Sequence, residues 1–137
     1  MTAFQLSAEQ EALFRLIEDT SEHIFVTGRA GTGKSTVLNH LAWNTRKQIA
    51  VCAPTGVAAL HVDGQTIHSL FRLPIGLIAD QDIEQNDATR KILNAIDTLV
   101  IDEISMVNAD LMDAIDRSLR QARARRREPF GGVQLVM

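Results

Sequence analysis

Residues 28–35 read Gly-Arg-Ala-Gly-Thr-Gly-Lys-Ser and fit the phosphate-loop pattern G-x-x-x-x-G-K-[ST] at every position. The flanks supply the matching context. His23–Thr27 is a short β run, and Lys34–Thr45 reads as a helix with Val37, Leu38, Leu41 and Ala42 on one face. Glycines let the backbone curl so that several N–H groups point at one anion. The helix start adds its partial positive charge. Lys34 is then placed to reach the β and γ phosphates, and the Ser35 hydroxyl to ligate Mg²⁺. An ordinary Gly-rich strand–helix turn explains the glycines but not the lysine and hydroxyl at this spacing.

The rest of the chain alternates strands and helices. Ser7–Gln10 is a capping-box pattern ahead of an amphipathic helix from Ala8 to about Thr20. Gln48–Ala53 is a second strand and Thr55–Leu60 a short helix. Thr66 caps a further helix over Ile67–Phe71. Residues 72–87 read as a long surface loop, and Asp87 caps a helix through Ala95. Thr98–Asp102 is a third strand, Asn108 caps a long helix to about Arg125, and Val133–Met137 is a fourth strand. Such alternation implies right-handed crossovers and a parallel sheet. The third and fourth strands are apolar without clear alternation, as strands covered on both faces require.

Leu99-Val-Ile-Asp102-Glu103 follows the phosphate loop by about 65 residues. An apolar strand delivers Asp102 to its C-terminal tip, where open α/β sheets bind ligands. Asp102 is suited to hold the Mg²⁺ shell and Glu103 to polarise an attacking water. No [NT]-K-x-D pattern supports guanine specificity.

Composition narrows the classes. With 137 residues, 45% hydrophobic and 23% charged, the chain is about one soluble domain. Five Phe, one Trp and no Tyr make the core aliphatic. The net charge of −3 excludes a uniformly basic nucleic-acid coat. Six arginines against one glutamate in residues 117–137 concentrate positive charge there, and the run reads as a solvated helix end. Cys52 is the single cysteine, in an apolar run, and reads as a small buried hydrophobe. His23, His40 and His61 show no metal-ligand spacing, and Trp43 reads as helix packing. With neither a secretory signal nor an 18-residue apolar run, the expectation is an intracellular, cytoplasmic chain.

Three segments carry a resemblance: Gly28–Ser35, then Ala53-Pro-Thr-Gly-Val-Ala-Ala59 with Thr66-Ile-His-Ser69, then Ile101-Asp-Glu-Ile-Ser-Met106. In this order they closely resemble the PIF-type DNA helicases, superfamily 1 relatives of the RecD helicases. Phe130-Gly-Gly-Val-Gln134 is similar to their third motif, and Leu6-Ser-Ala-Glu-Gln10 to their adenine-reading glutamine motif. The resemblance covers essentially the whole chain. It implies a RecA-like P-loop NTPase fold with three layers, helices on both faces of the parallel sheet. By analogy with related ATPases the expected strand order is 1-4-3-2.

The resemblance also implies roles. Gln10 hydrogen-bonds adenine, selecting ATP. Gly28, Ala30, Gly31, Thr32, Gly33, Lys34, Ser35 and Thr36 cradle the triphosphate and Mg²⁺, with Asp102 on the metal. Glu103 activates water, and Gln134 senses the γ-phosphate. Pro54, Thr55, Gly56, Thr66, His68 and Ser69 contact single-stranded DNA, where helix-start N–H groups suit phosphates. Plainer roles stand beside these: Gln10 as a capping-box residue, Thr55 and Thr66 as N-caps, His68 as a structural histidine, Gln134 as an edge-strand residue. In the family pattern a second motor domain supplies an arginine finger and half of the DNA track. The chain stops at Met137 inside an apolar strand, so the expectation is a monomeric N-terminal motor-domain fragment that binds nucleotide but does not unwind. A loader-type AAA+ ATPase and a nucleotide-gated binding module are the alternatives.

Overall fold

A parallel sheet forms the middle of the computed structural model, which describes residues 6–27 and 34–137. Strand β1 (Ile49–Ala53) lies between β2 (Gln65–Thr66) and β3 (Thr98–Ile101), and β3 pairs on its other side with β4 (Gln134–Val136). All these pairings are parallel. Ile24 adds a parallel bridge to Val136 beyond β4. The order across the sheet is therefore the Ile24 segment, β4, β3, β1, β2. This is the expected 1-4-3-2 order with one short strand added at the far edge. The first strand is shorter than the His23–Thr27 run suggests, because three N–H···O bonds at Ile24, Val26 and Met137 make up its pairing.

Alternation along each strand divides the side chains between two cores. Leu99, Ile101, Leu135 and Cys52 face one side, where they pack with helix α4 (Ile67–Phe71), α5 (Asp87–Ala95) and α6 (Ala109–Ala122). Val100 and Val136 face the other, against Ile17 of α1 (Ala8–Asp19) and Leu41 of α2 (Lys34–Asn44). Helices thus cover both faces, and β3 is buried at all four positions. The three-layer architecture agrees with the expectation.

Caps begin the helices where the sequence places them. Ser7 and Gln10 form a reciprocal capping box on α1. Thr55 caps α3 (Gly56–His61), Thr66 caps α4 and Asn108 caps α6, each through its side-chain oxygen. The cap of α5 is Asn86, one residue earlier than expected, accepting from Thr89 N at 2.8 Å.

Three expectations need correction. Residues 72–87 are not simply a surface loop: Leu73 and Ile83 are buried in the larger core, and Asp80–Ile83 forms a 3₁₀ turn. Trp43 does not pack; it is 87% exposed. The arginine run is a solvated helix end only in part: Arg125, Arg126 and Arg127 are exposed, and Arg123 is not. Helix α6 stops at Ala122, and Arg123 turns inward. Its guanidinium donates to the carbonyls of Asn94 and Ile96 at 2.8 Å each and of Gly131 at 2.8 Å. It thereby binds the open C-terminal end of α5 to the turn Pro129–Gly132 ahead of β4. Desolvation lowers its pKa, while the guanidinium keeps its charge. Gly131 lies so close to α6 (φ +61°) that a Cβ there would meet the Leu119 carbonyl at 2.5 Å. Arg120 pairs with Asp116 and Arg125 with Glu128.

Two outcomes follow. Arg123→Met leaves those three carbonyls without their donor and costs roughly 1–3 kcal/mol in urea unfolding. Cys52 is fully buried and desolvation pushes its thiol up to about 12. A thiol that ionises more easily when unfolded favours the native state below the ordinary thiol pKa. That contribution fades as pH rises from there towards 12. A thiol reagent is accordingly expected to label Cys52 only as fast as the chain opens, with labelling and global amide exchange sharing one rate.

Candidate nucleotide site and its comparison with known proteins

The carboxyl ends of the central strands meet a cavity of about 290 Å³. Lys34, Asp102, Glu103 and Ser105 supply its polar lining. Leu13 and Ile17 of α1, Val37 and Leu38 of α2, and Val100 and Val136 of the sheet supply apolar walls. Phe25, Val26 and Thr27, the residues leading into the phosphate loop, complete the rim.

Each polar group is there for a structural reason. β3 buries Thr98–Ile101 and its ladder continues one step, with Asp102 N donating to Cys52 O at 2.9 Å. The half-buried Asp102 carboxylate emerges at the strand tip. Glu103 then takes a left-handed conformation (φ 55°, ψ 48°) and reverses the chain into the 3₁₀ turn Ile104–Met106. A glutamate in that region is strained by about 1–2 kcal/mol, and such strain concentrates at functional turns. Lys34 is the first residue of α2, at its positive end, and is exposed. Thr36 follows it on the same first turn. Gly28, Ala30, Gly31, Thr32 and Gly33 lie outside the described residues, as does the Ser35 side chain.

One cation opposite two carboxylates suits a triphosphate with its divalent ion. Among the described residues no group of three or more His, Cys, Asp or Glu is arranged to cage a metal. A Mg²⁺ ion does not need such a cage, since it keeps waters and takes phosphate oxygens beside one or two carboxylates. The donor set therefore fits a nucleotide-borne Mg²⁺ rather than a resident structural metal.

Gln10 uses its side-chain oxygen to accept from Ser7 N at 2.9 Å, so the capping role is occupied. The six residues expected to meet DNA lie at the same, carboxyl, end of the sheet. Ala53 and Thr66 are register partners, so Pro54, Thr55 and Gly56 sit next to Thr66, His68 and Ser69. The Thr55 and Thr66 hydroxyls accept from Ala58 N and Ser69 N, and Ser69 Oγ donates to Gln65. The starts of α3 and α4 thus lie side by side. Pro54 and His68 also line an open groove of about 580 Å³ with Met106. The turn after Glu103 therefore touches both places: Ser105 lines the cavity and Met106 the groove.

Gln134 does not join the site. It pairs with Thr98, at the start of β3, roughly 13 Å along the strand from Asp102. It is 1% exposed, and its amide is committed to Thr98 Oγ1, Lys47 Nζ and the Glu22 carbonyl. The expectation of a γ-phosphate sensor is corrected: Gln134 lies at the amino ends of the strands, and the cavity opens at the carboxyl ends.

Known proteins match this arrangement. The model of the family described as PIF1-like helicase matches residues 5–137. This chain belongs to the PIF1-like helicase family. The ATP-dependent DNA helicase PIF1 of Saccharomyces cerevisiae (strain YJM789) is 41% identical over 140 residues, covering 96% of this chain and 16% of that protein. The Bacteroides Pif1 structure bound to ssDNA superposes with a TM-score of 0.86 at 43% identity, covering 98% of this chain and 32% of that one. Bacteroides Pif1 in complex with ADP-AlF4 gives 0.88 at 43% identity over the same share of each chain. This chain therefore spans about a sixth of the yeast PIF1 and about a third of the Bacteroides Pif1 chain. Membership in the PIF1-like family sets aside the loader-type AAA+ alternative.

Relief of the strain at Glu103 is measurable. Glu103→Gly is expected to be neutral or stabilising by up to about 1 kcal/mol, because glycine adopts a left-handed conformation freely but loses more freedom on folding. A β-branched Glu103→Val is expected to destabilise by at least as much. Urea unfolding of both variants checks the pair.

Proposed function

We propose that this chain is the ATP-binding first lobe of an ATP-dependent DNA helicase motor that moves on single-stranded DNA. The observation that carries the reading is the convergence of Lys34, Asp102 and Glu103 on one cavity at the carboxyl ends of a parallel sheet. Support also comes from the Bacteroides relative, 43% identical, solved both with ssDNA and with ADP-AlF4.

In this reading Lys34 holds the outer phosphates, where its charge offsets charge that builds as the terminal phosphoryl leaves. The loop of residues 28–33, with Ser35 and Thr36, cradles the triphosphate by backbone N–H groups and hydroxyls. Ser35 and Asp102 hold Mg²⁺, which neutralises phosphate charge when bound. Glu103 takes a proton from the attacking water. The left-handed turn at Glu103 keeps Glu103, Ile104 and Ser105 in the cavity lining, and the exposed Glu103 is free to reach that water. Gln10 reads adenine while it also caps α1. Pro54, Thr55, Gly56, Thr66, His68 and Ser69 receive DNA phosphates at the paired starts of α3 and α4. Stepping requires a second lobe that closes over ATP and contributes an arginine finger, worth ~10³–10⁵ in rate in other phosphate-loop enzymes. The chain by itself is read as monomeric and acting inside the cell, where ATP and DNA are found.

Measurement of binding and turnover separately tests the assignment. The 137-residue chain is expected to bind ADP and ATP with Mg²⁺ and to hydrolyse ATP feebly, with no unwinding. Lys34→Ala should weaken nucleotide binding by at least tenfold, the loss of about 1.4 kcal/mol. Glu103→Gln should reduce residual hydrolysis by about 10²-fold or more while nucleotide still binds. Unchanged hydrolysis in Glu103→Gln removes that residue from the role of base. DNA-stimulated turnover at ordinary helicase rates from the chain alone overturns the need for a second lobe.

A further inference from the structure

The segment that carries the phosphate loop is held to the sheet by very little backbone. Ile24 N donates to Leu135 O at 2.8 Å, Met137 N to Ile24 O at 2.9 Å and Val26 N to Met137 O at 2.6 Å. Even with Leu135 N donating to His23 Nδ1 at 3.0 Å, these three backbone bonds specify the register of so short a segment only weakly. A slip of one residue would exchange the buried Ile24 and half-buried Val26 with Phe25, which is 64% exposed. It would also displace Phe25, Val26 and Thr27 at the cavity rim by a full residue.

A polar cluster at the opposite end of the sheet supplies what the ladder lacks. Gln134 is fully buried, and both halves of its amide are used. Its Oε1 accepts from Thr98 Oγ1 at 2.7 Å and from Lys47 Nζ at 3.0 Å, and its Nε2 donates to Glu22 O at 2.8 Å. The half-buried Lys47 also donates to Ile17 O and Thr20 O, at 2.6 Å and 2.5 Å, in the last turn of α1. One ammonium and one amide thus connect β3, β4, the end of α1 and the 20–23 connection. A buried amide that satisfies its partners in only one arrangement specifies that arrangement, because any slip leaves polar groups unpaired.

We propose that Lys47 and Gln134 are positioning residues that lock the register of the Ile24–Thr27 segment and so set Phe25, Val26 and Thr27 at the rim of the nucleotide cavity. This rests on the nucleotide reading above. Neither residue touches the cavity; both act through the strand they hold. The reading also explains a glutamine at the head of an otherwise apolar strand, where an aliphatic residue would pack without obligation.

The test separates positioning from plain stability. Lys47→Met removes the ammonium and keeps the stem, and water can reach the carbonyls it leaves at this half-buried edge. ADP affinity is measured by fluorescence with a labelled ADP, at a temperature where circular dichroism shows each variant folded. Lys47→Met is expected to weaken ADP binding about tenfold. The amides of Ile24 and Val26 should exchange faster in advance of the rest of the sheet. Lys47→Arg, which restores donors, should bring affinity back to within a few-fold. Leu93→Ala, a cavity in the larger core far from this segment, should lower Tm and leave ADP affinity within a few-fold of wild type. Thr98→Val, which removes one bond to Gln134 at constant shape, serves if Lys47→Met does not fold, with the same direction and a smaller change. Wild-type affinity and unchanged Ile24 and Val26 protection in the folded variant overturn the proposal. If the wild type itself fails to bind ADP, the nucleotide reading falls, and the exchange measurement alone then decides the register lock.

Discussion

Burial of β3 on both faces and along both edges is the constraint from which the other features descend. Thr98, Leu99, Val100 and Ile101 are buried, with β1 on one side and β4 on the other. A parallel strand in that position needs crossover helices above and below, so the chain must place α5 and α6 on one face and α1 and α2 on the other. It must also end all its strands at the same edge. The first residue past the buried stretch is Asp102, and the first freedom to turn comes at Glu103. Chemistry at this tip is therefore a consequence of where apolar burial stops.

The two faces of the sheet are not equivalent. The α4–α5–α6 side holds the larger continuous core, including Phe71, Leu93, Ile115 and Leu119. Its connections are tied down as well, by Arg123 on the end of α5 and by Gln85 Nε2 donating to Ser118 O. Among the described residues the α1–α2 side holds the smaller cluster, Ile17, Ile24, Leu41, Val100 and Val136, and the cavity at the strand tips opens into it. A site that must admit and release a ligand belongs on the less densely packed side, where local opening is easier than global unfolding. The polar ties at the base of that side (Lys47 and Gln134, with Glu18 accepting from Thr45 Oγ1 and Arg46 N) hold together what apolar contact alone does not. Those hydrogen bonds lower the pKa of Glu18, with a smaller Coulombic contribution from Lys47 and Arg46.

What was legible in the sequence was local. Phosphate-loop spacing, the caps at Ser7, Thr55, Thr66 and Asn108, and the apolar run before Asp102 each depend on residues within a few positions of one another. The sheet order was legible through the family resemblance, since strand adjacency is not written in any one segment. The misreadings of Gln134 and Arg123 involve partners distant in the chain. Gln134 follows a glycine pair and precedes an apolar run, which suits a motif residue, but its partners are Glu22, Lys47 and Thr98. Arg123 looks like one more arginine of a helix end until the end of α5 arrives with the Asn94 and Ile96 carbonyls and the turn before β4 with that of Gly131. Trp43 has helical spacing, yet among the described residues its side chain stays exposed at the end of α2. Long-range polar partners leave no periodic trace, so these roles needed coordinates.

The turn after Asp102 carries the argument furthest. Glu103 is held left-handed although glycine would hold that shape more cheaply. Such a conformation persists only when its surroundings over-determine it. They do so here: the ladder bond from Asp102 N to Cys52 O fixes the strand before it, and the 3₁₀ bonds from Met106 N to Glu103 O and from Val107 N to Ile104 O fix the chain after it. The same short turn lines the cavity at the strand tips with Ser105 and the groove beside Pro54 and His68 with Met106. A change in what Glu103 contacts is thus only a few bonds from the face where α3 and α4 begin. Packing that prevents this turn from relaxing alone is what would oblige the two places to respond together.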